Sequence, residues 1–510
     1  MRRTALVSSA LALAVAVAAA PFARATWSIC LTDTSTGEVA IGTVTCINNA
    51  DLEKFVPIVR VGLGVGACQS LIDAQGVNKK IIWNELPNGT DPATMLQMMQ
   101  AVDSQYQWRQ IGIVDLQARG VTFTGTKDGL WAGGVTGHVG AITYAIQGNV
   151  LTGQPVITLA EQAILNTAGD LGQKLMAGME AARSMGGDGR CSCNASMPQQ
   201  CGSPPSSFTR SGYIGCVIVA RIGDTDGTCV QPAGCSTGQY YLELNINGQQ
   251  AANPDPVVQM QAQYATWRAS LAGRPDHVKS KNVLNRAILH ADGVDGTQLG
   301  IRLFDVDGVA IPAGGASVSV TVEPGASAGV TIGTVNDLGT GEYRVPITAQ
   351  NTVGKAKLRV VVNDGLGPVT LYPFPEVTVA KSPALSANVS ALSASAGTAV
   401  NFTLDGGAPL AARPYLLLCS ASGTTPGFWQ GSVYVPLVHD FAVDYSVVFP
   451  NLAPFTSTLG ALDASGVGAA GANFPAGLLA PLVGGSLSFS FVTLSDVDFA
   501  SEAVSLGVQP

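Results

Sequence analysis

The sequence predicts an α+β protein: helices packed on antiparallel sheets over roughly the first half, then two all-β sandwich domains. Three observations carry this. Residues 26–270 alternate strand-like runs with helix-like stretches in an order unlike a βαβ nucleotide fold. From about 289 onward, period-two alternation between Gly and Pro turns takes over. The chain is 12% charged and contains 60 glycines, a composition that suits β-rich surfaces built from Ser, Thr, Asn, Gln and backbone.

The first 25 residues have the anatomy of a secretory leader. Arg2 and Arg3 precede an apolar stretch from Ala5 to Ala20, Pro21 breaks it, and Ala23-Arg24-Ala25 supplies the small-x-small cleavage pattern. The apolar stretch is short for a bilayer span. Cleavage after Ala25 and an exported chain are expected. That processing leaves 24 basic against 35 acidic residues, a net charge of −11. Such a surface opposes phosphate neutralisation and docking on anionic lipid, so neither nucleic acid nor a membrane span is expected.

The length of 510 residues suggests roughly three domains. Residues 26–32 and 38–46 read as a hairpin across Asp33 to Gly37. Residues 56–69 form a further apolar, glycine-studded run. Asp91-Pro92 opens a helix striped by Met95, Met98, Met99 and Val102. Residues 109–125 read as a second hairpin. Pro155 begins a longer helix in which Leu159, Ala163, Ile164, Leu171, Leu175 and Met179 recur. Strands over 215–223 and 240–248 and a helix over about 256–271 close the domain, expected to span 26–272. Residues 273–288 read as a polar linker, 289–380 as a small β-sandwich, and 381–510 as a C-terminal β-domain.

Six of the ten cysteines, Cys191, Cys193, Cys201, Cys216, Cys229 and Cys235, cluster in one insertion over 191–235. In an oxidising compartment this reads as a disulfide-stapled segment, with 15 connectivities open for six cysteines. A zinc site is the competing reading, but CxC is not the usual knuckle spacing and no His lies near. No metal and no cofactor are expected. Cys30, Cys46, Cys68 and Cys419 remain unassigned. DTDG at 224–227 and DVDG at 305–308 read as hairpin turns, since neither has the acidic twelfth residue of a calcium loop.

A Ser-His-Asp hydrolase is disfavoured. The four histidines are His138, His277, His290 and His439, and only His138 lies in the first domain, in a glycine-rich stretch. An N-terminal nucleophile needs no histidine. A threonine hydroxyl requires a base, and a free α-amine, with a pKa of about 7.7–8.0, supplies one on the same residue. Cleavage after Ala25 would place that amine on Thr26.

Residues 26 to about 270 resemble a family of unknown function numbered 1028, grouped with the N-terminal nucleophile hydrolase fold. The matching pieces are TWSI at 26–29, TGEVAIG at 36–42, RVGLGVGACQ at 60–69, WRQIGIVD at 108–115, FTG at 123–125, WAG at 131–133 and QGNVLTG at 147–153. GGDGR at 186–190, IVAR at 218–221 and DPVVQ at 255–259 follow. The resemblance implies a four-layer αββα sandwich with Thr26 opening the first central strand as the nucleophile. It also frames the remaining candidates. Gln147-Gly148-Asn149 is expected as a tight turn offering backbone N–H groups and the Asn149 amide to an oxyanion, with Gln147 near substrate. Thr45 would orient the amine. Asp188 and Arg190 form a short polar motif that would grip a substrate carboxylate or else brace a loop. Asp115 and Gln69 are weaker candidates, and the insertion over 191–235 departs from the family pattern. Residues 289–380 are similar to bacterial immunoglobulin-like, invasin/intimin-type domains.

The expectation is therefore an exported amidohydrolase acting on a small amide or peptide substrate that the sequence does not identify. The alternative is a catalytically silent secreted or cell-surface binding protein that makes surface contacts through its β-domains. The sequence assigns no oligomeric state.

Overall fold

A computed structural model describes residues 25–510; the expected leader, apart from Ala25, lies outside the described residues. The chain divides into two compact units after Ala269.

In the first unit the elements run β1 (Thr26–Asp33), β2 (Glu38–Thr45), α1 (Leu52–Phe55), β3 (Pro57–Arg60), β4 (Gly64–Ser70), α2 (Val77–Glu85), α3 (Pro92–Val102), β5 (Arg109–Asp115) and β6 (Gly120–Thr124). Next come β7 (Gly133–Val139), β8 (Ile142–Asn149), α4 (Pro155–Asn166), α5 (Leu171–Ser184), α6 (Gly189–Ser192), β9 (Ile214–Ala220), β10 (Leu242–Ile246) and α7 (Pro256–Ala269). One sheet has the order β10-β9-β2-β1-β8-β7 and the other β3-β4-β5-β6. β1 and β8 pack face to face with β4 and β5, α4, α5 and α7 cover the outside of the larger sheet, and α2 and α3 cover the smaller one. Four layers, αββα, result.

The alternation along β1 assigns its faces. Trp27, Ile29 and Leu31 enter the core beneath α4 and α5. Thr26, Ser28, Cys30 and Thr32 face the second sheet: Ser28 bonds Gln69, Cys30 joins Val65 and Val114, and the Thr32 hydroxyl donates to the Asp115 carbonyl at 3.1 Å. The β1–β2 turn closes on Gly37 at φ 70°, with the Asp33 carboxylate accepting the Ser35 amide at 2.8 Å.

Several elements depart from expectation. The run over 56–69 is two strands, β3 and β4, because Gly62 takes φ 66° between them. Of the four stripe residues on α3 only Met95 and Met99 are buried, while Met98 and Val102 point outward; the helix has one covered side, narrower than the apolar stripe suggested. The helix expected from Pro155 to Met179 is α4 and α5, broken at Gly169. α5 restarts on a capping box in which Asp170 accepts from the Gln173 amide and the Gln173 side chain accepts from the Asp170 amide. The glycine-rich stretch around His138 is strand β7, and the His138 ring bonds Thr143 Oγ1 at 3.0 Å.

Five of the six clustered cysteines form disulfides, one of them with Cys46: Cys46–Cys191, Cys193–Cys201 and Cys229–Cys235. Cys216 does not join the staple. It is a buried free thiol inside β9, as are Cys30, Cys68 and Cys419 in their own strands, because a central strand points its side chain into the sheet interface and away from the insertion.

The second unit holds two β-sandwiches, each with its own core. Lys281–Leu284, within the stretch expected to be a linker, pairs with Gly296–Arg302 as an edge strand. Asp276 and His277 just before it are buried, so side-chain burial there overrides the polar composition. Asp305 accepts the backbone amides of Asp307 and Val309, which makes DVDG a turn. The last sandwich also carries one helix, Phe441–Val448, capped by Asp440.

Candidate active site

Three strands end together where β1 begins. In register, Thr26 lies between Thr45 of β2 and Asn149 of β8, so all three side chains share the face toward the second sheet. The Thr26 amide donates to Asn149 Oδ1 at 3.2 Å. The Thr26 hydroxyl lies 2.7 Å from the Ala25 carbonyl oxygen and 3.3 Å from Thr45 Oγ1.

That carbonyl is held from several sides. It accepts from Thr45 Oγ1 at 2.5 Å and from Arg190 Nη2 at 2.9 Å, besides the Thr26 hydroxyl. Arg190 is aimed by Asp188, a fully buried carboxylate that takes Nε at 3.1 Å and Nη2 at 2.8 Å. The same carboxylate accepts the amides of Arg190 and Cys46, the latter at 2.7 Å. The Cys46–Cys191 disulfide ties these two segments together. Asp188 caps α6, a single short turn, so its role is local bracing of the guanidinium.

Gln147, Gly148 and Asn149 do not form the expected turn. They are the last residues of β8, a strand flanked on both sides: Gly148 pairs with Trp27 and with Gly133, so its backbone belongs to the sheet. Gln147 pairs with Ser28 two residues deeper. It is fully buried between the sheets against Gly112, where an added Cβ would come within 2.1 Å of its Oε1. It is therefore apart from the Thr26 end of the sheet. Asp115 lies at the opposite end of β1 and binds Arg119 at 2.5 Å. Of the named candidates, Thr26, Thr45, Asn149, Asp188 and Arg190 converge, and Gln147 and Asp115 do not.

Gln69 has a larger part than the sequence suggested. Its Nε2 donates to the Thr26 carbonyl and to Gln110 Oε1, both at 2.8 Å, and Gln110 Nε2 donates to the Gly148 carbonyl at 2.8 Å. Two amides thus tie the sheets together directly behind Thr26.

Sequence reasoning missed Ser70 and Asp128. Asn149 Nδ2 donates to Ser70 Oγ at 3.1 Å, which leaves the Asn149 oxygen turned to the Thr26 amide. Ser70 bonds in turn to Asp128, whose carboxyl is pushed up to about 6 by burial, with the Ser70 bond opposing that rise. Ser70 at φ 71° and Val150 at φ 54° are left-handed residues at the ends of β4 and β8, and such strain persists only where the surroundings impose it. No sequence signal marks them, since neither is glycine.

Residues 26–198 match a family of unknown function, DUF1028. The match begins on Thr26 and ends inside the cysteine-rich insertion, so it includes every converging residue of the site. Residues 276–373 match invasin, domain 3. No curated protein matches the chain. Among solved structures, a Silicibacter pomeroyi protein carrying the DUF1028 model is 16% identical, covering 48% of this chain and 88% of its own, with a TM-score of 0.34. The Yersinia pseudotuberculosis adhesin InvE is 18% identical over 45% of this chain and 58% of its own, with a TM-score of 0.18. The Escherichia coli adhesin FdeC is 13% identical over 95% and 97%, with a TM-score of 0.24. The chain thus spans about three-fifths of InvE, and the DUF1028 region is followed by an invasin-type domain.

Proposed function

We propose that the DUF1028 region is an N-terminal nucleophile amidohydrolase whose nucleophile, Thr26, is released by cleavage of the Ala25–Thr26 bond during export. The observation that carries the reading is the Ala25 carbonyl, an acyl oxygen seated 2.7 Å from the Thr26 hydroxyl and held by Thr45 and Arg190. After cleavage those donors face the position of a substrate acyl oxygen.

In this reading the neutral α-amine of Thr26 takes the proton of its own hydroxyl as Oγ1 bonds to the amide carbon. The carbonyl π pair moves to oxygen, and Arg190 Nη2 and Thr45 Oγ1 stabilise that charge. Asn149 Oδ1 holds the amine with its lone pair toward Oγ1. The tetrahedral intermediate collapses, the C–N bond breaks, and the leaving nitrogen takes the proton from the α-ammonium. An ester on Thr26 remains. Water, deprotonated by the same amine, attacks the ester carbon and releases the acid and the free hydroxyl. The three disulfides fit an oxidising compartment.

The test is the mature N-terminus by mass spectrometry, followed by labelling with an amide-directed electrophile. A start at Thr26 with a covalent adduct lost in Thr26→Ala is the expected result. A mature chain starting elsewhere removes the base and the mechanism with it. The second reading, a catalytically silent surface-binding protein, is favoured by the invasin-type match over 276–373. It predicts a Thr26 start without labelling.

A further inference from the structure

The second unit contains an open groove of about 1250 Å³. Its wall includes the hairpin Phe428–Gln430 and Val433–Val435, which turns at Gly431 with φ 61°. Trp429 on this hairpin is 67% exposed and Tyr434 is 44% exposed, with their rings edge to face at 5.4 Å. An exposed indole costs solubility, and an exposed aromatic pair in the wall of a groove has the chemistry of a binding platform.

The polar lining narrows the ligand. Arg286 is engaged by Asp295, and His290 lies 3.1 Å from Glu502. Asp292 accepts the amides of Val294 and Asp295 at 2.8 and 2.7 Å. Both basic groups are therefore paired with carboxylates, and a third carboxylate is present, so the groove opposes an anionic ligand such as a phosphate or a sulfated chain. The side chains of Asn285, Gln298, Thr348 and Ser432 add neutral donors and acceptors to the same lining. Exposed aromatic rings beside neutral polar groups match a ring with one C–H face and a rim of hydroxyls. The volume exceeds the roughly 300–1,000 Å³ usual for a single small molecule, which suits several linked rings.

We infer that this groove binds an uncharged oligosaccharide, with Trp429 as the stacking platform. The site is independent of Thr26 and of any hydrolase activity.

The experiment uses the full exported chain on an array of neutral, sialylated and sulfated oligosaccharides together with extended peptides. Neutral oligosaccharides are expected to be retained in preference to the other three classes. Trp429→Ala is expected to weaken that binding at least about tenfold, equal to about 1.4 kcal/mol, while Trp429→Phe retains most of it. Leu366→Ala, an exposed apolar site outside the groove, should leave binding unchanged. Circular dichroism checks that each variant is folded. Retention of no neutral glycan, preference for charged glycans or peptides, or undiminished binding by folded Trp429→Ala would each overturn the assignment.

Discussion

Replacing Asp188 with asparagine keeps the volume of a fully buried side chain and removes its charge. The carboxylate accepts from the Cys46 amide, the Arg190 amide and two guanidinium nitrogens. An amide has one oxygen to offer these four donors, and its NH2 group points more donors at them. Hydrogen bonds to charged groups contribute about 1.5–3 kcal/mol each, and breaking a fully buried pair costs about 3–5 kcal/mol. The Arg190 side chain is 20% exposed and can recover some hydration, so the lower end applies, about 3 kcal/mol. For a unit of this size that corresponds to a fall in Tm of about 6–12 °C. The assay is thermal unfolding of Asp188→Asn with disulfides intact, beside Arg190→Gln, which removes the cation and leaves the carboxylate its two backbone donors. Asp188→Asn should be the more damaging of the two. A loss below about 1 kcal/mol would mean that water already solvates this pair and that Asp188 does not aim Arg190 rigidly.

Ser70→Ala should cost about 1 kcal/mol by losing the Asn149 bond, whereas Ser70→Gly also relieves the left-handed strain and should be near neutral by denaturant titration. If the Thr26 reading holds, both should slow electrophile labelling, because each frees the Asn149 amide to rotate. The His290–Glu502 pair predicts a pH window. Burial opposes the His290 charge, but Glu502 and Asp295 outweigh it and its pKa is raised, so its stabilisation is complete below about 6.5 and is lost as pH rises through the folded value. Bonds from His290, Ala384 and Ser382 outweigh burial for Glu502 and hold it down to about 2, so its share is present above about 4.5 and is lost on acidification toward 2. The Tm difference between wild type and Glu502→Gln should therefore peak between about pH 4.5 and 6.5, and a flat difference across that range and above it would refute the coupling. Removing the Cys46–Cys191 disulfide as Cys46→Ser with Cys191→Ser opens a sequence separation of 145 residues and should cost about 2–5 kcal/mol, read by denaturant midpoint. Gly112→Ala should destabilise the first unit, since its Cβ meets Gln147 Oε1 at 2.1 Å, and a wild-type Tm would contradict the close packing of the sheets there.

Local chemistry made the hairpin of β1 and β2, the cap at Asp91 and the alternating strands beyond residue 289 readable, because each depends on neighbours within a few residues. What stayed hidden depends on partners far along the chain. Gln147 and Asn149 look alike as polar residues beside a glycine, yet only register with β1 separates the one at the sheet's end from the one buried between sheets. Cys216 sits among disulfide-forming cysteines in sequence and is removed from them by the direction of β9. Gly169 broke a helix that the apolar spacing had joined, because the spacing of Leu159 to Met179 survives a four-residue interruption. Asp188 and Arg190 were visible as a pair, but their common target, a carbonyl 165 residues away from Arg190, was not.

The alternation along β1 makes the starting residue of the chain a question of parity. Shift the start by one residue in either direction and the leading side chain turns toward α4 and α5, into the layer that holds Trp27. Shift it by two and the leading hydroxyl is that of Ser28, fully buried and already bonded to Gln69, with the row occupied by Thr45 and Asn149 left unpartnered. A protease that trimmed this terminus carelessly would leave the fold nearly unchanged and the row empty. If Thr26 is the nucleophile proposed above, the accuracy of one cut matters more than the identity of most residues around it.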